Sequence, residues 1–427
     1  MRDILNIRCG GTAAVVGLWI ALLGVNGCQP VQNAQTYDAS ARADLEQGKD
    51  DLAIADETKA IELNPNFASA YSGRGVAYQH QNKLDLAIAD YTKAIELNPN
   101  LADTYLVRAN AYQGQNNLDL AIADYTRVIE LISNSADAYS GRASAHLSQK
   151  KFDLAIADFN KAIQFNPKSA AAGLLGRGQA YQGQGKLDLA IFDFTRAIEL
   201  KPNDASLYLV RGGAYIDQHY PELAIADFTK AIELNPSDAS GFGSRASVYL
   251  GQGKYDSTIA DATIAIELNP NDAVLYRVRA SAYYSQQKFD LAIADCNKAI
   301  ELNPNDTQAY TRRALVYSRQ NKLELAIADT TKVIELSPND ASAYDERAVM
   351  YHMQKTLDLA IADYTKAIEL NPKDAEAYVS RGSIYIEQKR PELAIVDLQK
   401  YLQLAPNASD SETVRGAVAA LNNMGYR

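Results

Sequence analysis

The stretch LDLAIADYTKAIELNPN at residues 84–100 decides the fold. It returns as LDLAIADYTRVIELISN at 118–134 and as LDLAIADYTKAIELNPK at 357–373, and near-copies stand between them. The step is 34 residues, the period of two packed helices and their turns. Arginine keeps the count at Arg74, Arg108, Arg142, Arg177, Arg211, Arg245, Arg279, Arg313, Arg347 and Arg381, every step being 34 except one of 35 into Arg177. One residue inserted near Ala170–Gly173 accounts for the exception.

Within residues 68–101, Tyr71, Gly75, Tyr78, Ala87, Tyr91, Ala94 and Pro99 stand where tetratricopeptide repeats carry their aromatic, small and proline positions. The chain resembles that family over about residues 37–408. The resemblance implies an all-α, right-handed superhelical solenoid of 34-residue helix-turn-helix repeats. About eleven repeats are expected, with a degenerate first one at 34–67 and a C-terminal capping helix over 409–427. The physics of the residues agrees, because small Gly75, Ala87 and Ala94 let helices approach while tyrosines fill the wider gaps.

Local signals place the helix ends. Asn98-Pro99 and Asn235-Pro236 close second helices, since the residue before proline is pushed out of the α region. Asp204, Asp238 and Asp272 then cap the next first helix, and Pro221 and Pro391 fit a first helical turn. Ser133 in place of the turn proline, Leu174 in place of an aromatic and the extra residue suggest a bend near 133–178.

Catalytic and metal chemistry find little support. Aspartates recur once per repeat, at Asp90, Asp124, Asp158, Asp193, Asp227, Asp261, Asp295, Asp329, Asp363 and Asp397, and the recurring arginines are their expected partners in a structural ladder. His80, His146, His219 and His352 lie in different repeats without a second ligand at helical spacing, so no metal is expected. Gly183-Gln184-Gly185-Lys186 lacks the earlier glycine and the Ser or Thr of a phosphate loop, and reads as a turn. The repeats leave no length for a catalytic domain, and no cofactor is expected. A net charge of −10 disfavours nucleic acid and favours a basic or neutral partner.

Residues 1–27 read as a signal peptide, with Arg2 and Arg8 ahead of an uncharged apolar run from Thr12 to Val25. Val25-Asn26-Gly27-Cys28 resembles a bacterial lipobox, although Asn26 departs from its pattern. The resemblance implies acylation of Cys28, a polar tether over residues 28–36 and a lipid anchor on the periplasmic side of a bacterial envelope. Ordinary cleavage with release, or a cytosolic chain, are the alternatives.

In this family the first helices line the concave groove, and that resemblance directs the search for a partner site. The groove positions of the first half are small or amide residues such as Ser69, Ser72, Gln79, Asn110 and Gln113. Further along stand Arg277, Tyr284, Arg319, Asp345, His352 and Glu387, with Arg312 beside them. The same repeats lose their second-helix aromatic, where Ala262, Cys296 and Thr330 replace the Tyr or Phe of residues 91, 125, 159, 194, 228 and 364. The expected site is therefore Arg277, Tyr284, Arg312, Arg319, Asp345 and His352, taking a protein or peptide. The competing expectation is a structural assembly factor that docks through its convex face or edges.

Overall fold

A computed structural model describes residues 33–409 and 411–425. The expected signal peptide, Cys28 and most of the expected tether lie outside the described residues. Twenty-three α-helices and one 3₁₀ turn make up the described chain, with no strand among the described residues. First helices of 13 residues alternate with second helices of 14, as in Ala68–His80 followed by Leu84–Leu97. The contacts divide the chain into two compact units, residues 1–184 and 185–427.

In the first unit, helices Ala34–Glu46, Ala68–His80, Ala102–Gly114 and Ala136–Ser148 are first helices, each packed on the second helix that follows it. Successive first helices also touch one another and form a layer of their own. The first of them begins at Ala34, inside the stretch expected to be tether, because Asn33 Oδ1 accepts from the Thr36 backbone N–H at 3.0 Å and Thr36 Oγ1 accepts from the Asn33 N–H at 2.9 Å. That reciprocal capping satisfies two otherwise orphaned donors. The inserted residue is taken up by the 3₁₀ turn Pro167–Ser169 and a first helix, Ala170–Gly183, that is one residue longer than the others.

The second unit repeats the alternation from Leu187–Leu200 to Pro391–Leu404. Asp204, Asp238 and Asp272 accept from the backbone N–H groups of Ser206, Ser240 and Val274, the helix caps the sequence predicts. Pro221 and Pro391 open their helices as expected. The turn from first to second helix needs one left-handed residue, which is Gly253 at φ 70°, but also His219 at 63° and Lys355 at 62°. Gly185, at φ 73°, is the same turn residue, so the glycine-lysine stretch is a connection and not a phosphate loop. The last helix, Ser411–Asn423, buries Val414 and Val418 against Leu398 and Tyr401 and leaves Glu412 in water, as a capping helix should.

The core of each unit is alanine and aromatic in layers. Ala87, Ala94, Ala121, Ala155, Ala292 and Ala360 are wholly buried, and between them sit Tyr91, Tyr125, Phe159 and Tyr364. Each such ring contributes about 1.5–3 kcal/mol through the apolar area it removes from water. The rings are gripped by first helices on both sides. A methyl group added at Gly75 would stand 2.5 Å from Cε1 of Tyr91 in the same repeat, and one added at Gly176 would meet the ring of Phe159 from the preceding repeat.

Candidate functional site

The recurring polar residues are consumed by the scaffold. Arg108 Nε donates to Asp124 Oδ2 at 2.7 Å and Nη2 to Oδ1 at 2.8 Å, a bidentate pair from first to second helix of one repeat. Its Nη1 donates to Thr92 Oγ1 at 3.0 Å, on the second helix of the repeat before. The guanidinium lies 5.6 Å from the ring centre of Tyr105 and 5.7 Å from that of Tyr112. One side chain thus ties three helices, and the charge is compensated on every side. The Asp pairing recurs at Arg74 and Arg142 in the first unit, and at Arg211, Arg245, Arg279, Arg313, Arg347 and Arg381 in the second. The ladder is as the sequence predicts. Its threonine rung, which couples neighbouring repeats, was not anticipated, although a Thr or Asn one residue after each second-helix aromatic signals it.

The amides of the early groove are also engaged. Tyr125 Oη donates to Asn110 Oδ1 at 2.6 Å and lies 2.9 Å from Gln113 Oε1, while Tyr91 Oη donates to Gln79 Oε1 at 2.8 Å. Second-helix tyrosines therefore reach through to the first-helix face and are capped there. Ser72 and Thr104 share a hydrogen bond of 3.0 Å, and Ser69 bridges Asp38 and Arg42.

The residues singled out in the second unit fall into three groups rather than one site. Arg277 Nε lies 3.1 Å from Oδ2 of Asp306, the capping residue of helix Thr307–Arg319, in an ion pair whose geometry leaves Nε without a directed hydrogen bond. Tyr284 sits between cations: Arg312 lies 5.7 Å from its ring centre, and Arg319 Nε donates to its hydroxyl at 3.2 Å. Phe289 backs the ring at 6.2 Å. His352 is 3.1 Å from Glu387 Oε2, and Lys355 holds Oε1 at 2.9 Å, so hydrogen bonds from Lys355 and then His352 keep the Glu387 carboxyl below its usual range.

Asp345 stands apart. Burial, reinforced by Asp374 and Glu376, pushes its carboxyl up to about 6, and its Oδ1 is buried without a hydrogen-bond partner. Burial also raises the neighbouring Glu346, against the pull of Arg312. The first-helix residues thus change from basic at Arg312 and Arg319 to acidic at Asp345 and Glu346.

An opening in the same face escaped the sequence reading. A cavity of about 670 Å³ is lined by Gly213, Ile216, Phe228, Ser247, Val248 and Gly251, with Asp217 and His219 among its polar lining. Ser244 and Ser247 also line a second cleft of about 240 Å³, and a third of about 280 Å³ lies among Leu250, Arg277, Ser281 and Arg312. The signal was present in Gly213 and Ile216, which stand where the earlier repeat carries Asn110 and Gln113, and in the small-residue helix Ala239–Gly251. No group of three or more His, Cys, Asp or Glu among the described residues could hold a metal ion. Cys296 is buried, and burial pushes its thiol up to about 12, so it is not a poised nucleophile.

Sequence models described as tetratricopeptide repeat match residues 68–101, 136–169, 171–204 and 273–306, and others of the same description match 351–419, 296–328, 102–135 and 205–238. A model described as TPR repeat matches residues 41–81. No curated protein matches the sequence. Among solved structures, the chain is similar to the APC/C hetero-tetramer Cut9-Hcn1 at 15% identity, over 91% of this chain and 84% of that one, with a TM-score of 0.46. It is similar to yeast Tom70 at 19% identity, over 92% and 96%, with a TM-score of 0.43. A tetratricopeptide repeat protein from Parabacteroides merdae matches at 21% identity over 58% and 98%, with a TM-score of 0.48. Likeness of this degree says nothing of partners. Repeats of this kind form a scaffold typical of protein–protein interaction, and the chain belongs to the tetratricopeptide repeat family.

Proposed function

We propose that the chain is a non-catalytic scaffold that binds proteins or peptides along its first-helix face, anchored by an acylated Cys28 on the periplasmic side of a bacterial envelope. The observation that carries the binding reading is the contrast between consumed and open polar groups. The recurring Arg, Asp and Thr side chains satisfy one another, whereas the non-recurring Tyr284, Arg312, Arg319 and Asp345 stand on successive first helices, Arg312 at an open cleft and Asp345 with an unpartnered carboxyl oxygen. Arg277, Arg312 and Arg319 supply donors for carboxylates, and Tyr284 supplies a face for stacking. His352, paired with Glu387, lies farther along the same face. Changing Arg277, Tyr284 and Arg319 together to alanine is expected to abolish cross-linking to the partner while circular dichroism still reports a helical chain. Undiminished cross-linking would sink this placement.

Anchoring rests on the sequence of residues 12–28. Intact mass and membrane fractionation of the wild type against Cys28→Ala test it. A mature chain beginning at Cys28 with added acyl mass, lost in the variant, is the expected result, and an unprocessed mass removes the anchor.

One observation favours docking through the second helices instead. All of them but Tyr255–Leu268, which has Ser257 there, present a leucine to water at the same repeat position, as with Leu86 at 49%, Leu120 at 51% and Leu154 at 52% exposure. Binding that survives the triple alanine change but is lost when these leucines become glutamine supports that second reading.

A further inference from the structure

The cavity beside Gly213 has a traceable origin in the repeat. Gly213, Ile216 and Phe228 are the repeat equivalents of Asn110, Gln113 and Tyr125. In the earlier repeat the tyrosine hydroxyl and the two amides close the first-helix face with hydrogen bonds of 2.6 and 2.9 Å. In the later one the hydroxyl is gone, one amide is replaced by hydrogen and the other by an alkyl chain. The polar lid is deleted, and its place is an opening of about 670 Å³ walled by Ile216, Phe228 and Val248. These apolar walls suit a large apolar group, with Asp217, His219 and Ser247 at the polar side of the opening.

Charge defines what accompanies that group. The clefts continue along the same face through Ser244 and Ser247 to Arg277 and Arg312. Arg277 is already paired with Asp306. Arg312 makes no ion pair among the described residues, and its guanidinium is held over the Tyr284 ring at 5.7 Å. A half-buried, preoriented guanidinium at an open cleft is a receptor for a carboxylate.

Building on the first-helix-face reading, we propose that this stretch recognises an extended peptide by two features, a large apolar side chain seated between Gly213 and Gly251 and an acidic residue on Arg312. With neighbouring first helices roughly 10 Å apart, the two points are about 25 Å apart, a span that about seven residues of extended chain cover.

The two glycines make the test direct. A Cβ at Gly213 or at Gly251 meets nothing within 4 Å, so side chains there grow into the opening and not into the core. Peptides of twelve residues, selected from a random displayed library on the intact chain and labelled with fluorescein, serve as probes for fluorescence anisotropy. The expected selection is a Trp, Phe or Leu followed, or preceded, at about seven residues by Asp or Glu. Binding is expected to fall about tenfold or more in Gly213→Leu/Gly251→Leu and in Arg312→Ala, with the thermal midpoint of the glycine variant no lower than that of the wild type. If the leucines lower the midpoint, Gly213→Ala/Gly251→Ala replaces them, with a loss of about threefold expected. Peptides that bind the filled and open forms equally overturn the cavity as anchor. If those same peptides are lost in the variant lacking Arg277, Tyr284 and Arg319, the first-helix-face reading stands without it. Peptides indifferent to every one of these changes, or no peptides at all, overturn both.

Discussion

Tyr125 and Cys296 occupy one position of the repeat, in two regions that solve the same packing problem differently. Around Tyr125 the ring fills the layer between first helices, and the residue ahead of the next repeat's arginine is Gly141, where an added methyl would stand only 2.4 Å from Cζ of the ring. At Phe159 the equivalent residue is Gly176, equally pressed by the ring. Where the second-helix residue shrinks to Cys296 and Thr330, the equivalent first-helix residue grows to Arg312 and Glu346, whereas Val278 beside Ala262 matches Val107 beside Tyr91 and Val210 beside Phe194. The charge of Arg312 acts on both Cys296 and Glu346, so these side chains share one neighbourhood. The coincidence of lost aromatics and gained charge is therefore one event seen twice. At these two positions a small second-helix residue opens room for a long first-helix side chain, an exchange that the close packing of the interior favours.

The first repeat breaks this rule. Glu57 stands where Tyr125 stands two repeats later, wholly buried, with neither carboxyl oxygen hydrogen-bonded. Burial, followed by the nearby Asp38, pushes it up to about 9, despite Arg42 and Arg74. Its carboxyl is neutral at physiological pH and faces Gly73, whose missing side chain makes the space.

Ladder substitutions probe what both regions share and should have the largest effect. Asp124→Ala or Asp295→Ala strands a half-buried arginine and is expected to cost about 3 kcal/mol or more in urea unfolding, in either region. A neutral result in one region alone would mean that its aromatic, not its ladder, holds the repeat together. Importing one solution into the other region comes next. Gly141→Arg, which overfills the layer, is expected to cost about 1–3 kcal/mol and to speed hydrogen exchange in helix Leu118–Leu131, whereas Gly141→Arg with Tyr125→Cys should recover most of the loss. Additive costs in the double variant would refute the exchange of volume.

The smallest effect is a gain. Glu57→Phe removes an unsatisfied carboxyl and restores the aromatic between Ala41 and Gly73, and is expected to stabilise by about 1–2 kcal/mol. The pH dependence carries a definite sign. Because the folded form of Glu57 keeps its proton up to about 9 while the unfolded chain releases it near the ordinary value of 4.5, this group's contribution is greatest below 4.5 and is lost as pH rises toward 9. Thermal midpoints across that window should fall less steeply in the variant than in the wild type. Parallel slopes would show that Glu57 is solvated.

The alternation of helices, their caps at Asp204, Asp238 and Asp272, and the Arg–Asp ladder were all legible in the sequence, because each depends on spacing within one repeat. The charged residues near 277–352 were legible as departures from the pattern. Their grouping was not, since the pairing of Arg277 with Asp306 and the seating of Tyr284 between Arg312 and Arg319 join residues 29 to 35 positions apart across neighbouring repeats. The tether's boundary was misplaced for a local reason, the capping of Ala34–Glu46 by Asn33.

By itself, then, the sequence determined that this chain stacks helix pairs in a fixed register, because a 34-residue period carries its turn, cap and core residues with it. Only the tertiary structure decided which side chains remain available. Tyr125 capped by Asn110 and Gln113, and Phe228 facing Gly213 and Ile216, look like minor variations when read in line. They become a closed face and an open one because two first helices must meet over a ring, and whether polar groups or empty space complete that meeting is a property of the packed layer.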